Sequence, residues 1–423
     1  MSRRLFGTDG VRGVAGEFVS AELALALARA ATAQTAVERP QVLVVRDTRE
    51  SGEMLQAAVA AGISAAGGEA LLAGVLPTPA APLLIERYGF DLAVVLSASH
   101  NPYRDNGIKF FAGDGYKLSD DAEAEIERAV EDQAAGSGAI GRVRELRGAA
   151  EDYLRALYTR FDELDLSGLD VVLDCANGAT YLLAPEIFRR LGASVTTIAD
   201  APDGRNINEA CGSTHLAHLA EHVVAGGHAM GFAFDGDGDR VLAVDRNGVA
   251  VDGDELMALA TLHLRDGGVL RENGVVVTVM TNYGFHAAME SAGIPVATTP
   301  VGDRYVLEEL RARGWMLGGE QSGHIIDARF NSTGDGIASA LLTLEALQGG
   351  DLAERAAMEK LPQRLVNVRV RDREALAGAV EVEAAVSGAQ EQLAGRGRVL
   401  VRPSGTEPLV RVMVEAPTDE ETD

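Results

Sequence analysis

Val171 to Gly192 reads VVLDCANGATYLLAPEIFRRLG. A short β-branched run, Val171–Leu173, leads into a polar, glycine-containing loop, Asp174 to Gly178, and then into a helical pattern that closes on Leu191-Gly192. Strand, loop, helix is the repeating half-unit of a parallel sheet, because parallel strands need a long crossover. The scheme recurs. Val42–Val45, Leu92–Leu96, Gly231–Phe234 and Val275–Met280 are further apolar runs of strand length. The last of these leads through a helix to Ala292-Gly293 and a strand at Ile294–Thr298. Three successive blocks of about one hundred residues carry this alternation, a common domain size.

Boundaries are expected near residue 150, beyond the acidic helix Asp120–Gln133, near 250, beyond the strand Val241–Asp245, and at Leu361-Pro362. After Pro362 the pattern changes to alternating Leu365–Val370, a helix over Glu374–Leu393, a strand Val399–Arg402 and alternating Leu409–Glu415. The expected fold class is α/β: three successive α/β domains, 1–150, 151–250 and 251–361, with mixed, mostly parallel sheets, plus a smaller α+β C-terminal domain, 362–423.

At 423 residues the chain is too long for one ordinary core. Asp and Glu number 63 against 38 Lys and Arg, a net charge of −25. That balance argues against nucleic acid and against an anionic membrane surface as partners. An anionic substrate has to be held locally, by arginines and backbone N–H groups. Two cysteines, Cys175 and Cys211, make no disulfide framework and read as reduced thiols. The start, MSRRLFGTDG, lacks the apolar core of a signal peptide, and no uncharged run has the length of a spanning helix, so a cytoplasmic location is expected.

Two stretches carry the chemistry. SASHNP, Ser97 to Pro102, sets a serine hydroxyl beside a histidine in a loop closed by Asn-Pro. FDGDGDR, Phe234 to Arg240, sets Asp235, Asp237 and Asp239 at alternating positions. In an extended segment, alternation sends all three carboxylates to one side, where they suit a hard cation such as Mg²⁺. A serine near a divalent cation points to phosphoryl chemistry, since the cation neutralises charge on the moving group. An EF-hand is the wrong reading: counted from Asp235, Arg240 replaces the loop glycine and Arg246 the closing glutamate. No G-x-S-x-G elbow surrounds either serine, which speaks against a Ser-His hydrolase. His215, His218 and His222 share one face if helical, a spacing that suits Zn²⁺, but the two later ones read better as exposed helix residues. Gly236 and Gly238 are no dinucleotide fingerprint, because Asp237 and Asp239 would oppose a pyrophosphate.

Five ordered signatures extend these two: LFGTDGVRG (5–13), SASHNPYRDNGIKFF (97–111), FDGDGDR, GGEQSGH (318–324) and RPSGTEP (402–408). In this order the chain resembles the α-D-phosphohexomutase superfamily from about Arg4 to Ala416. The resemblance implies four domains around a central cleft, each lending one loop. It implies that Ser99 carries a phosphoryl group in the resting enzyme and passes it to a sugar hydroxyl through a 1,6-bisphosphate. It implies one Mg²⁺ held by Asp235, Asp237, Asp239 and an oxygen of phosphoserine 99, with Arg240 steadying the phosphoryl oxygens. Glu320 and Ser322 are then the sugar grip. Arg402, Ser404, Gly405, Thr406 and Arg411 are then the phosphate anchor. For proton transfer the resemblance offers Lys109 and His324, with His100 adjacent in sequence; Arg12 binds phosphate or orients a partner.

Gln321 and the sequence around Ser99 tilt the expected substrate to the glucosamine phosphates, 6-phosphate and 1-phosphate, with glucosamine 1,6-bisphosphate as intermediate or activator, toward UDP-N-acetylglucosamine. The alternatives are a mannose or glucose phosphate mutase on the same scaffold, and a non-catalytic sugar-phosphate- or metal-binding protein. Oligomeric state stays open. Family members usually continue past the last strand into a further helix, whereas here an acidic tail, Thr418–Asp423, is expected to leave one face of the small sheet uncovered.

Overall fold

The computed structural model describes residues 5–7, 9–132, 138–270, 272, 274–370, 379–403 and 409–423. Four sheets follow one another along the chain. The first holds β1 (Val11–Val14), β2 (Gln41–Arg46), β3 (Glu69–Val75), β4 (Leu92–Leu96), β5 (Asp105–Ala112) and β6 (Val143–Glu145), in the order β1-β5-β4-β2-β3-β6. Strands β4, β2, β3 and β6 run parallel, while β5 is antiparallel to both its neighbours. The second holds β7 (Asp170–Asp174), β8 (Ser194–Ile198), β9 (Met230–Phe234), β10 (Val241–Asp245) and β11 (Ala250–Val251), in the order β11-β10-β9-β7-β8. The third holds β12 (Val275–Thr278), β13 (Val296–Thr299), β14 (Leu317–Gly319) and β15 (Ile325–Asp327), in the order β13-β12-β14-β15. These three α/β domains with mixed, mostly parallel sheets are followed by an antiparallel sheet of β16 (Gln363–Arg369), β17 (Arg398–Pro403) and β18 (Leu409–Glu415).

The central parallel strands are buried along their whole length, as in β4, β9 and β12, because helices cover both faces. One apolar cluster runs through the first three domains, from Leu43 and Phe111 through Phe188 and Phe232 to Leu317 and Leu344. Among the described residues, the fourth domain contributes Leu393, Val410, Met413 and Ala416 to the buried apolar set. There β16 is exposed throughout, and Val382, Val386, Val399, Val401 and Val412 line an open groove. The expected acidic tail forms a single helical turn, Asp419–Thr422, capped by Thr418. The helix expected over Glu374–Leu393 is seen as Val380–Leu393; residues 374–378 lie outside the described residues.

One expectation needs correction. Asp235 to Asp239 are not an extended segment: β9 ends at Phe234 and the aspartates sit in a turn. Gly238 takes φ +72°, and a Cβ on Gly236 would stand 2.6 Å from the Ser99 carbonyl oxygen, so the two glycines, and not strand alternation, bring the carboxylates together. The histidines stand as read from the sequence: the helix Ala217–Gly226 begins after His215 and carries His218 and His222, which meet edge to face with ring centroids 4.4 Å apart.

Candidate active site

The loops that carry the chemistry leave the carboxyl ends of parallel strands, where open α/β sheets place their ligands. Ser99 follows β4 and the aspartate turn follows β9. Ser99 is buried and stands at φ +52°, a left-handed conformation that costs a side-chain-bearing residue energy. Its Oγ donates to Asp235 Oδ2 at 2.6 Å and lies 3.2 Å from His100 Nδ1. Ser97, the neighbouring serine, is committed elsewhere: its Oγ donates to Asp47 at 2.6 Å and accepts from the Ser99 N–H at 2.9 Å.

The three carboxylates are buried, with ligand oxygens within 4.8 Å of one another; among the described residues they are the only such group. Burial, with Asp239 and Asp237 alongside, raises the Asp235 carboxyl well above the usual range. Burial and Asp237 likewise raise Asp239. Asp237 goes the other way, held low by Lys109 and by the Thr78 hydroxyl against the effect of its burial. Its Oδ2 accepts from Lys109 Nζ at 2.8 Å and from Thr78 Oγ1 at 2.7 Å. The other oxygens, Asp237 Oδ1 and Asp239 Oδ1, are buried with no hydrogen-bond donor among the described residues. Buried, unpartnered carboxylate oxygens in a crowded acidic group fit a hard divalent cation.

Lys109, on β5, is 1% exposed. Its Nζ lies 3.1 Å from Asp9 and 3.8 Å from Asp239, besides Asp237. Burial disfavours the ammonium, but the three carboxylates outweigh it and hold the proton firmly. Such a lysine is an electrostatic fixture and not a free base. His100 is the opposite case. Burial, Arg240 and Arg12 push its pKa down to about 4, leaving a neutral ring beside the Ser99 hydroxyl. Arg12 pairs with Asp9, and Arg240 lies 3.8 Å from Asp239; nearby carboxylates keep both guanidiniums charged despite burial.

The third domain closes the cluster. Glu320 follows β14 and accepts from the Gly302 N–H at 3.0 Å. Ser322 Oγ and His324 Nδ1 are buried with no hydrogen-bond partner among the described residues. His324 Nε2 lies 3.9 Å from Asp239 and 3.8 Å from Asp303, so this loop ends against the carboxylate triad. Arg402 and Arg411 face each other in register on β17 and β18, and burial plus the neighbouring charge lower the Arg402 pKa. Ser404, Gly405 and Thr406 lie outside the described residues.

Sequence reasoning missed the supports. Lys117 pairs with both Asp9 and Asp303, tying the first domain to the third. Arg49, wholly buried, donates to the carbonyls of Ser99, Asn101, Pro102 and Asp105 and pairs with Asp47 at 2.8 Å. Asp9 stood inside a quoted signature; Asp47, Arg49, Thr78 and Asp303 carried no local signal, since their roles arise from contacts remote in sequence.

Residues 3–136, 151–248 and 252–365 match the α/β/α domains I, II and III described for phosphoglucomutase/phosphomannomutase, and 365–423 match its C-terminal domain. The chain is 53% identical to the phosphoglucosamine mutase of Moorella thermoacetica, over 99% of this chain and 96% of that one. It is 52% identical to that of Rhodococcus erythropolis, over 98% and 95%. Among solved structures, a phosphoglucomutase/phosphomannomutase family protein of Burkholderia thailandensis superposes with a TM-score of 0.82 at 24% identity, covering 98% of this chain and 94% of that one. An N-acetylphosphoglucosamine mutase of Aspergillus fumigatus, in complex with GlcNAc-6P and magnesium, gives 0.68 at 19%, covering 100% and 94%.

Proposed function

The chain belongs to the phosphoglucomutase/phosphomannomutase family, and on that premise we propose that it works as a phosphoglucosamine mutase, interconverting glucosamine 6-phosphate and glucosamine 1-phosphate. One observation carries the reading: the Ser99 hydroxyl lies 2.6 Å from one carboxylate of a triad in which two buried oxygens accept no hydrogen bond from the described residues. Asp235, Asp237, Asp239 and an oxygen of phosphoserine 99 would hold Mg²⁺, which when bound supplies positive charge against the transferring phosphoryl group.

The chain's own residues do the rest. The sugar hydroxyl oxygen bonds to phosphorus as the bond from phosphorus to Ser99 Oγ breaks, giving glucosamine 1,6-bisphosphate and a free serine. The hydroxyl proton leaves for a base, and Ser99 Oγ ends protonated. The neutral ring of His100 suits the acceptor role better than Lys109, whose carboxylate partners keep it charged, while the Nε2 of His324, at the end of the sugar loop, already accepts from the Gly334 N–H. Arg240 and Arg12 face the phosphoryl oxygens. Glu320 and Ser322 grip the sugar, and Arg402 and Arg411, with Ser404, Gly405 and Thr406, hold the phosphate that is not reacting. The bisphosphate turns over in the cleft, and its other phosphoryl group returns to Ser99.

The test is a Mg²⁺-dependent assay on glucosamine, glucose and mannose phosphates. Preference for the glucosamine isomers is expected, with turnover abolished in Ser99→Ala while the fold persists. Preference for mannose or glucose phosphate would reassign the substrate. Comparable turnover in Ser99→Ala would remove the phosphoserine mechanism.

A further inference from the structure

Ser99 is held in a conformation it would not choose, and two domains do the holding. Its carbonyl oxygen accepts from Arg49 Nη2 at 2.9 Å, within the first domain, and from Asn208 Nδ2 at 2.9 Å, from the second. The Asn101 carbonyl repeats the arrangement, with Arg49 Nη2 at 2.8 Å and Asn208 Nδ2 at 3.1 Å. One amide group from the second domain thus bridges two carbonyls of the serine loop. Asn208 lies between β8 and the helix Ala217–Gly226, in a segment itself pressed against the first domain: the Glu50 N–H donates to the Gly204 carbonyl at 2.9 Å, and Arg205 pairs with Glu50 at 2.7 Å. Its own backbone is left-handed, φ +58°, with its N–H on the Ala176 carbonyl at 2.9 Å. A Cβ on Gly236 would stand 2.7 Å from Asn208 Nδ2. The amide is therefore wedged between the serine loop and the aspartate turn.

We propose that Asn208 is a positioning residue for phosphoryl transfer: from the second domain it keeps the Ser99 loop in the left-handed turn that aims Oγ at Asp235. The proposal rests on the mutase reading above. Removing the amide leaves the Arg49 bonds, so the loop stays attached but loses the restraint that comes from the domain bearing the aspartates. Because reacting groups misplaced by about 1 Å lose rate far more than binding, the effect falls on kcat. The sugar grip and the distal phosphate anchor belong to other domains, so KM is spared.

The choice of variant matters, since alanine would add backbone strain at a left-handed position. Asn208→Gly removes the amide and accepts the backbone; Asn208→Asp keeps shape and backbone but turns the donor into an acceptor facing two carbonyls. Both are expected to lower kcat at least tenfold, with KM for glucosamine 6-phosphate within twofold and the melting temperature close to the parent's. A kcat within twofold of the parent in Asn208→Gly, or a loss carried by KM, would overturn the proposal. A second arm does not depend on turnover. Crystal structures of both variants are expected to show Ser99 leaving positive φ or its Oγ leaving Asp235. Unchanged Ser99 geometry in both would overturn it even if the parent acted on no phosphosugar, an outcome that by itself removes the mutase reading.

Discussion

Asp237 divides its two oxygens between two tasks. Oδ2 is held by Lys109 and Thr78, and Oδ1 faces the buried acidic centre unpartnered. Asp237→Asn keeps the size but removes one of the negative charges that attract a cation. Calorimetric titration with Mg²⁺ is expected to show an affinity about tenfold or more below the parent's, with little change in melting temperature; equal affinity would take Asp237 out of the ligand set. On the proposed mutase reading, Arg402 holds the other end of the substrate. In a cycle that presents each end of the sugar to Ser99 in turn, one distal anchor serves both half-reactions. A lost charge-assisted pair is worth about 1.5–3 kcal/mol, so Arg402→Ala should lower kcat/KM tenfold or more. The loss should appear as a raised KM for both isomers, with added bisphosphate restoring part of the rate. A change for one isomer only would refute the shared anchor. Lysine should rescue partly, lacking the bidentate fork.

Among the elements, the helix Gly336–Leu347 shows how a buried cap ties pH to stability. Its N-cap Asp335 accepts from the Ala338 N–H and from the Tyr153 hydroxyl of the helix Ala149–Arg160. Burial pushes its carboxyl up to about 6, from an ordinary value of 3.8. Between those pH values the folded state keeps a proton that the unfolded chain has released, so stability present at low pH is lost as pH rises through about 6. The whole span is worth about 3 kcal/mol. Asp335→Asn keeps an equally good cap and removes the buried charge. Thermal midpoints of variant and parent should converge near pH 4 and separate by pH 8, the variant higher; a difference independent of pH would show that Asp335 does not titrate in this range. The elements themselves were partly legible. Leu92–Leu96 and Leu409–Glu415 are strands with those bounds, because a wholly buried apolar run and a β-branched run with polar interruptions each leave a pattern in one strand. Val275–Met280 stops at Thr278, where the chain turns toward Asn282. Antiparallel β5 was not foreseen as a strand, although its Lys109 was picked out, since a strand's direction depends on partners elsewhere in the chain. For the same reason the roles of Arg49 and Asn208 were illegible: their partners are carbonyl oxygens, which every residue possesses.

At the scale of the whole molecule, the fourth domain has, among the described residues, the smallest buried core, and polar contacts fasten it to the third. Glu415, fully buried on β18, accepts from Arg398 at 2.6 Å, from Gln363 at 3.1 Å and from the Tyr283 N–H at 3.0 Å of the third domain. Asn282 grips the connecting Leu361 by both its N–H and its carbonyl. Deleting one partner of a buried ion pair costs about 3–5 kcal/mol, so Glu415→Ala should loosen this attachment. Limited proteolysis should then cut faster near residues 361–363, and KM should rise because Arg402 travels with the loosened domain; unchanged cleavage would show that the apolar contacts suffice. The distribution of the active cluster over several domains also sets an order of events during synthesis. Asp237 lies 128 residues beyond Lys109. At about 5–20 residues per second the ribosome delivers it roughly 6–26 s later. Until then the newborn first domain has Asp9 to neutralise Lys109, and its serine loop awaits the amide of Asn208. Ser99 is thus in place in the sequence well before its hydroxyl is aimed, and a chain released early carries Ser99 without the Asn208 and Asp235 that hold it.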